Sequence, residues 1–60
     1  MNATFRFIKD EGTGATEQLV VPADAIDKCS VDGWQWLIAW KGEDIVAMVN
    51  AQFVRCCYLE

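Results

Sequence analysis

The feature that most constrains the fold is a two-residue connection, Gly42-Glu43, between the apolar segments Trp34–Lys41 and Asp44–Asn50. Glycine at the first of two turn positions is typical of a type II′ β-hairpin. In that hairpin Lys41 faces Asp44, and this pair of opposite charges supports the register. An uninterrupted ladder then pairs Trp40 with Ile45, Ala39 with Val46, Ile38 with Ala47, Leu37 with Met48, and Trp36 with Val49. Both faces of the hairpin are apolar, so one can line an interior while the other needs a different cover.

The remainder of the chain also shows strand patterns and no amphipathic helix. Apolar and polar residues alternate near the amino terminus, and Pro22 ends a later strand because it cannot donate a ladder hydrogen bond. The predicted strands cover residues 4–9, 18–21, 26–31, 34–41, 44–50 and 53–59. The predicted connections are a loop over 10–17, one helical turn over 22–25, and tight turns at 32–33, 42–43 and 50–52.

Six short strands predict a single all-β domain that takes up residues 1–60. We expect a small antiparallel barrel or a strongly bent sheet of five to six strands, SH3-like in architecture, with at most single helical turns. A weak internal repeat aligns residues 21–29 with 49–57 and shares Val, Ala and Cys. This repeat indicates that the two halves of the chain follow one structural plan.

The three tryptophans, Trp34, Trp36 and Trp40, should share one face of their strand because side chains alternate along a strand. We expect them mainly to fill the interior. However, 53% of the 60 residues are hydrophobic, more than so short a chain hides easily. We therefore expect one tryptophan outside, and Trp34 beside the Asp32-Gly33 turn is the easiest to expose. The same surplus predicts a homo-oligomer that associates through the hairpin, with Met48 pointing outward.

Composition argues against several kinds of function. Nine acidic residues outnumber five basic ones, for a net charge of −4, so nucleic acid is an unfavourable partner. The absence of histidine removes the commonest general base and the commonest metal ligand. We expect no enzyme, no cofactor and no metal site.

The cysteines bear on the compartment. Cys29, Cys56 and Cys57 make an odd number, and the first residues lack the pattern of an export signal. No apolar run reaches the roughly 18 residues of a membrane span. We expect a cytoplasmic protein that does not enter the membrane, with free thiols that are buried and unreactive.

These exclusions leave a protein–protein interaction module as the main functional hypothesis. In its first form, an adaptor, Trp34 is the anchor and is assisted by Gln35, Met48 and Phe53. Binding through such apolar and amide groups should be insensitive to salt.

An alternative hypothesis uses the acidic residues. A small acidic protein from a phage or mobile element can block a host enzyme by placing carboxylates where nucleic-acid phosphates bind. The contacts in that case are Asp10, Glu11, Glu43 and Asp44, and salt should weaken them steeply.

Overall fold

The computed structural model describes all 60 residues, Met1 to Glu60, and consists of six strands and one 3₁₀ turn. The strands form two three-stranded antiparallel sheets, with strand orders β2-β1-β6 and β3-β4-β5. The elements are β1 (Asn2–Asp10), β2 (Ala15–Pro22), β3 (Ala25–Val31), β4 (Trp34–Lys41), β5 (Asp44–Asn50), the 3₁₀ turn (Ala51–Phe53) and β6 (Val54–Leu59). We call the two layers the β1 sheet and the β4 sheet after their central strands.

The prediction of an all-β domain is confirmed, but the strands do not close into the small barrel that was one of its two predicted forms. No hydrogen-bonded ladder joins an edge strand of one sheet to an edge strand of the other, so the sheets remain separate layers. The helical turn expected over 22–25 is also absent. The chain bends at Asp24, and β3 begins at the next residue. The remaining elements match the predicted positions, although β1 and β2 extend further than expected.

The two sheets have the same strand plan, as the repeat predicted. The β4 sheet is a meander of consecutive strands, and the β1 sheet would be one if the two chain ends were joined. The ends lie side by side, since the Asn2 amide donates to the Glu60 carbonyl and the Glu60 amide donates to the Asn2 carbonyl, both at 2.9 Å. Segments 23–24 and 51–53 carry the chain from one sheet to the other at corresponding points.

Turn chemistry fixes the two hairpins of the β4 sheet. Asp32 and Gly33 both have positive φ angles, 53° and 82°, which is the type I′ pattern that an Asp-Gly pair favours. Gly42 has a φ of 61° and Glu43 does not have a positive φ, which agrees with the predicted type II′ turn. The Gly42 amide also donates to Asp24 Oδ2 at 3.1 Å, so the bend before β3 holds the hairpin tip.

The predicted register of the β4–β5 hairpin is correct only near its turn. Lys41 pairs with Asp44 as expected, but Val46 is an extra residue in a β-bulge. A shift of one residue moves side chains to the opposite face of a sheet. Met48 therefore lies on the face of the tryptophans and not on that of Leu37. The pairs beyond the bulge are Ala39 with Ala47, Ile38 with Met48, Leu37 with Val49, and Trp36 with Asn50.

The core lies between the two sheets and is made mostly of small residues. Phe5 on β1 is the one large side chain that is fully buried. The fully or nearly buried cluster around it consists of Ala3, Ala23, Leu37 and Ala39. Leu37 and Ala39 thus point inward, and the tryptophans at alternate positions of β4 point outward. The expectation that the tryptophans fill the interior is wrong, because packed sheets lie only about 10 Å apart and three indoles in one strand exceed that space.

The fold leaves much of its apolar material at the surface. Only 7 of the 60 residues are buried. The radius of gyration is 11.7 Å, whereas a compact chain of this length would have about 10 Å. In a two-layer protein of this kind, no third layer covers the outer faces of the sheets.

We expect Phe5→Ala to remove most of the stability of the domain. Truncating a fully buried phenylalanine costs about 3–5 kcal/mol, and a chain of this length has roughly 3–9 kcal/mol in total. Phe53→Ala is the matched control because Phe53 is 46% exposed, and we expect it to cost less than about 1 kcal/mol. Urea unfolding followed by circular dichroism measures both. Equal midpoints for the two variants would contradict the assigned core.

Candidate docking surface

Four of the nine exposed large hydrophobic residues lie on the outer face of the β4 sheet, which we call the tryptophan face. Alternation along β4 and the register of its neighbours determine its members. Because Val31 pairs with Trp34, and Met48 with Ile38, both edge strands extend the face. The tryptophan face consists of Val31, Trp34, Trp36, Ile38, Trp40, Ile45 and Met48.

The exposures along this face show one continuous apolar layer. Trp34 is 51% exposed, as expected for the residue after the Asp32-Gly33 turn, while Trp36 and Trp40 are half-buried. Ile38 lies on the same side of β4 as the tryptophans and is only 8% exposed. The Nε1 of Trp40 is buried without an acceptor, so this indole is held by packing alone.

The tryptophan face is almost free of charge. Asp27 is the one charged residue whose position in the register lies among these outward side chains, opposite Ile38. Glu43 and Asp44 lie at the tip of the β4–β5 hairpin, beyond the end of the face. No group of three or more His, Cys, Asp or Glu residues is close enough to hold a metal ion. The structure does not gather the acidic residues of the alternative hypothesis into one cluster.

Two concave sites lie at the opposite end of the β4–β5 hairpin from Glu43 and Asp44. The first is an apolar groove of about 200 Å³, and the second is a shallow polar depression of about 360 Å³ beside it. Asn50 lines both, and its Oδ1 accepts a hydrogen bond from the Gln52 amide at 2.9 Å. The groove is lined by Phe7, Val49, Asn50, Phe53 and Val54. The depression is lined by Gly33, Trp34, Gln35, Asn50, Ala51 and Gln52.

The structure brings together three of the six predicted contact residues. Trp34 and Gln35 line the depression, and Phe53 lines the adjoining groove. Met48 lies on the tryptophan face, while the acidic pair is remote. Sequence reasoning missed Val31, although the two-residue Asp-Gly turn already places it opposite Trp34. It also missed Asn50, which caps the 3₁₀ turn. Asparagine before a turn is the sequence feature that could have indicated this role.

The adjacent cysteines point to opposite sides of β6. Cys57 pairs with Phe5 and contributes to the core, whereas Cys56 pairs with Arg6 on the outer face and is exposed. The expectation of buried thiols is therefore wrong for Cys56. Arg55 is the extra residue of a bulge in β6, and this bulge turns Cys57 inward while its repeat counterpart Cys29 faces outward.

Comparisons with known proteins leave the surface to be interpreted from its geometry. The chain matches no protein-family model, and neither a curated protein nor a solved structure is significantly similar to it. The structure has no helix with the length and apolar character that crossing a lipid bilayer requires.

We expect one cysteine to react much faster than the others with Ellman's reagent. Thiol reactivity depends on access to the sulfur, and Cys56 is exposed while Cys29 and Cys57 are half-buried. The Cys56→Ser variant should lose the fast phase, and Cys57→Ser should retain it. A fast phase that survives Cys56→Ser would show that the outward orientation of Cys56 is wrong.

Proposed function

We propose that the protein is a non-catalytic docking module that binds protein surfaces through the tryptophan face, and that its first partner is a second copy of the chain. One observation carries the proposal. The two sheets share a strand plan, yet their outer faces differ in chemistry. On its outer side the central strand of the β1 sheet carries three polar residues and one apolar residue, Asn2, Thr4, Arg6 and Ile8, while the central strand of the β4 sheet carries only three indoles and Ile38. The fold itself therefore does not require an apolar outer face.

The size of the tryptophan face suits a pair of copies. The exposed parts of Val31, Trp34, Ile45 and Met48 amount to roughly 400 Å², near the largest apolar patch of an ordinary monomer. A face-to-face pair would cover this area twice. With the half-buried indoles of Trp36 and Trp40 added, the pair approaches the roughly 1,000 Å² that a specific interface needs.

The charge distribution supports the same partner. The chain carries a net charge of −4, so two copies repel each other at long range. Only Asp27 contributes to that charge from within the tryptophan face, and opposed faces would bring few like charges together. Sheets can pack face to face in an aligned or orthogonal arrangement, and tryptophan is a residue type enriched at the centre of interfaces.

The chemistry of the concave sites supports a non-catalytic role. Neither the groove nor the depression is lined by an acid, a base or a thiol. A catalytic site needs such groups positioned in a cleft. An enzymatic activity that is lost in Cys29→Ser would contradict this part of the proposal. We also propose that the protein is located in the cytoplasm, because three free thiols suit a reducing compartment.

We expect Val31→Lys to convert a dimer into a monomer. The lysine would place a charge within the tryptophan face, where it must be desolvated on pairing. Val20→Lys is the matched control, since Val20 is 49% exposed, Val31 is 48% exposed, and both lie on edge strands. Sedimentation equilibrium at micromolar concentrations measures the mass of each.

Two further results test the assignment. Met48→Lys should also dissociate the pair without unfolding the chain, because Met48 is exposed on the same face. Unchanged circular dichroism spectra would verify the fold. A wild-type protein that remains monomeric at high micromolar concentration would contradict self-association.

We also expect the association to change little with ionic strength. Raising sodium chloride from about 50 mM to about 500 mM screens surface charges strongly. Because Asp27 is the one charged residue within the tryptophan face, its contacts should alter the dissociation constant by less than about threefold. Reduced repulsion between the acidic copies would strengthen the association. A steep loss of association with salt would favour contacts through the acidic residues instead.

A further inference from the structure

We infer that the apolar groove beside Phe53 binds one bulky apolar side chain of an extended segment from a partner protein. The groove contains no member of the tryptophan face, although the depression beside it is lined by Trp34. The inference shares with the proposed function the premise that the protein acts by docking. Its walls come from β1, β5, the 3₁₀ turn and β6, so it opens where the two sheets meet.

The corresponding connection in the other half of the chain shows that this fold does not need a groove between the sheets. The first connection between the two sheets has two residues, 23–24, and Ala23 is buried in the core with 0% exposure. The second connection has three residues, 51–53, and forms the 3₁₀ turn. Ala51, the counterpart of Ala23, is only half-buried. The groove lies beside this longer connection, and Phe53 forms one of its walls.

The volume of the groove is compatible with one large apolar side chain. Pockets for whole small-molecule ligands usually measure about 300–1,000 Å³, which is more than the groove offers. A cavity of about 150 Å³ lined by aliphatic and aromatic side chains holds a benzene molecule. At about 200 Å³, the groove matches one phenyl or leucyl side chain.

The rim of the groove suits a polypeptide backbone. Asn50 uses its Oδ1 within the chain, which leaves its Nδ2 as a donor beside the groove. Gln35 and Gln52 line the adjoining depression, and their amides can both donate to and accept from peptide groups. No charged residue lines either site. A neutral extended segment with one large apolar side chain therefore fits this end of the molecule.

The test uses three blocked pentapeptides of glycine and serine with phenylalanine, leucine or alanine at the centre. Titration into ¹⁵N-labelled protein should shift the amide signals of Asn50, Phe53 and Val54 with phenylalanine and leucine. We expect these two peptides to bind with millimolar affinity, and the alanine peptide to bind about tenfold or more weakly, because only the larger side chains bury substantial apolar area.

A matched pair of variants locates the site. Phe53→Ala removes a groove wall and should abolish the shifts. Tyr58→Ala should retain them, since Tyr58 is an aromatic residue of similar exposure on β6 that lies opposite Thr4, away from the groove. Equal binding of the alanine peptide, or shifts unchanged in Phe53→Ala, would overturn the inference.

The remaining outcomes distinguish other occupants. Toluene that shifts the groove signals while no peptide does so would make the site one for small apolar molecules and overturn the inference. The titration is repeated with Val31→Lys, which should be monomeric. Retained peptide shifts in that variant support the inference whether or not the wild type associates. Their loss would overturn it as a site formed by a single chain.

Discussion

Two stacked sheets have four faces, and a chain of 60 residues can bury only the two that meet. Ala3 and Phe5 of β1 and Ala39 of β4 belong to the buried cluster between the sheets, and Phe5 is its one large side chain. Once Ala39 and its neighbour Leu37 point inward, alternation along β4 turns Trp36 and Trp40 outward. Core packing thus decides that the tryptophans point outward, while the fold does not require that the outer face be apolar.

The two halves of the chain repeat one strand plan, and both proposed contact sites lie where the halves differ. Along its central strand the outer face of the β1 sheet is polar except for Ile8, while that of the β4 sheet carries the tryptophans. The first connection between the sheets buries Ala23 in the core, while the second is longer and has a groove beside Phe53. Shared features of the halves serve the fold, and their differences form the two surfaces that we propose for binding.

Much of the secondary structure could be predicted because it depends on neighbouring residues. The bounds of β4 and β5, the turn at Gly42 and the exposure of Trp34 follow from alternation and turn chemistry. The bulge at Val46 could not be predicted in the same way. Its position depends on how β5 fits beside β4 and above the core, and no local pattern in an apolar strand marks one extra residue. That single residue moved Met48 to the tryptophan face.

The sequence by itself determined an all-β chain with tight turns, a repeated plan, and more apolar side chains than one small core can bury. These properties follow from local backbone preferences and from composition. The tertiary structure alone decided that two separate sheets form instead of a barrel, which face of β4 is buried, and that Asn50 joins Trp34 and Phe53 at one end. The reason is physical: an apolar strand is equally compatible with either face inward, and only the space left by the opposing sheet distinguishes alanine and leucine from tryptophan.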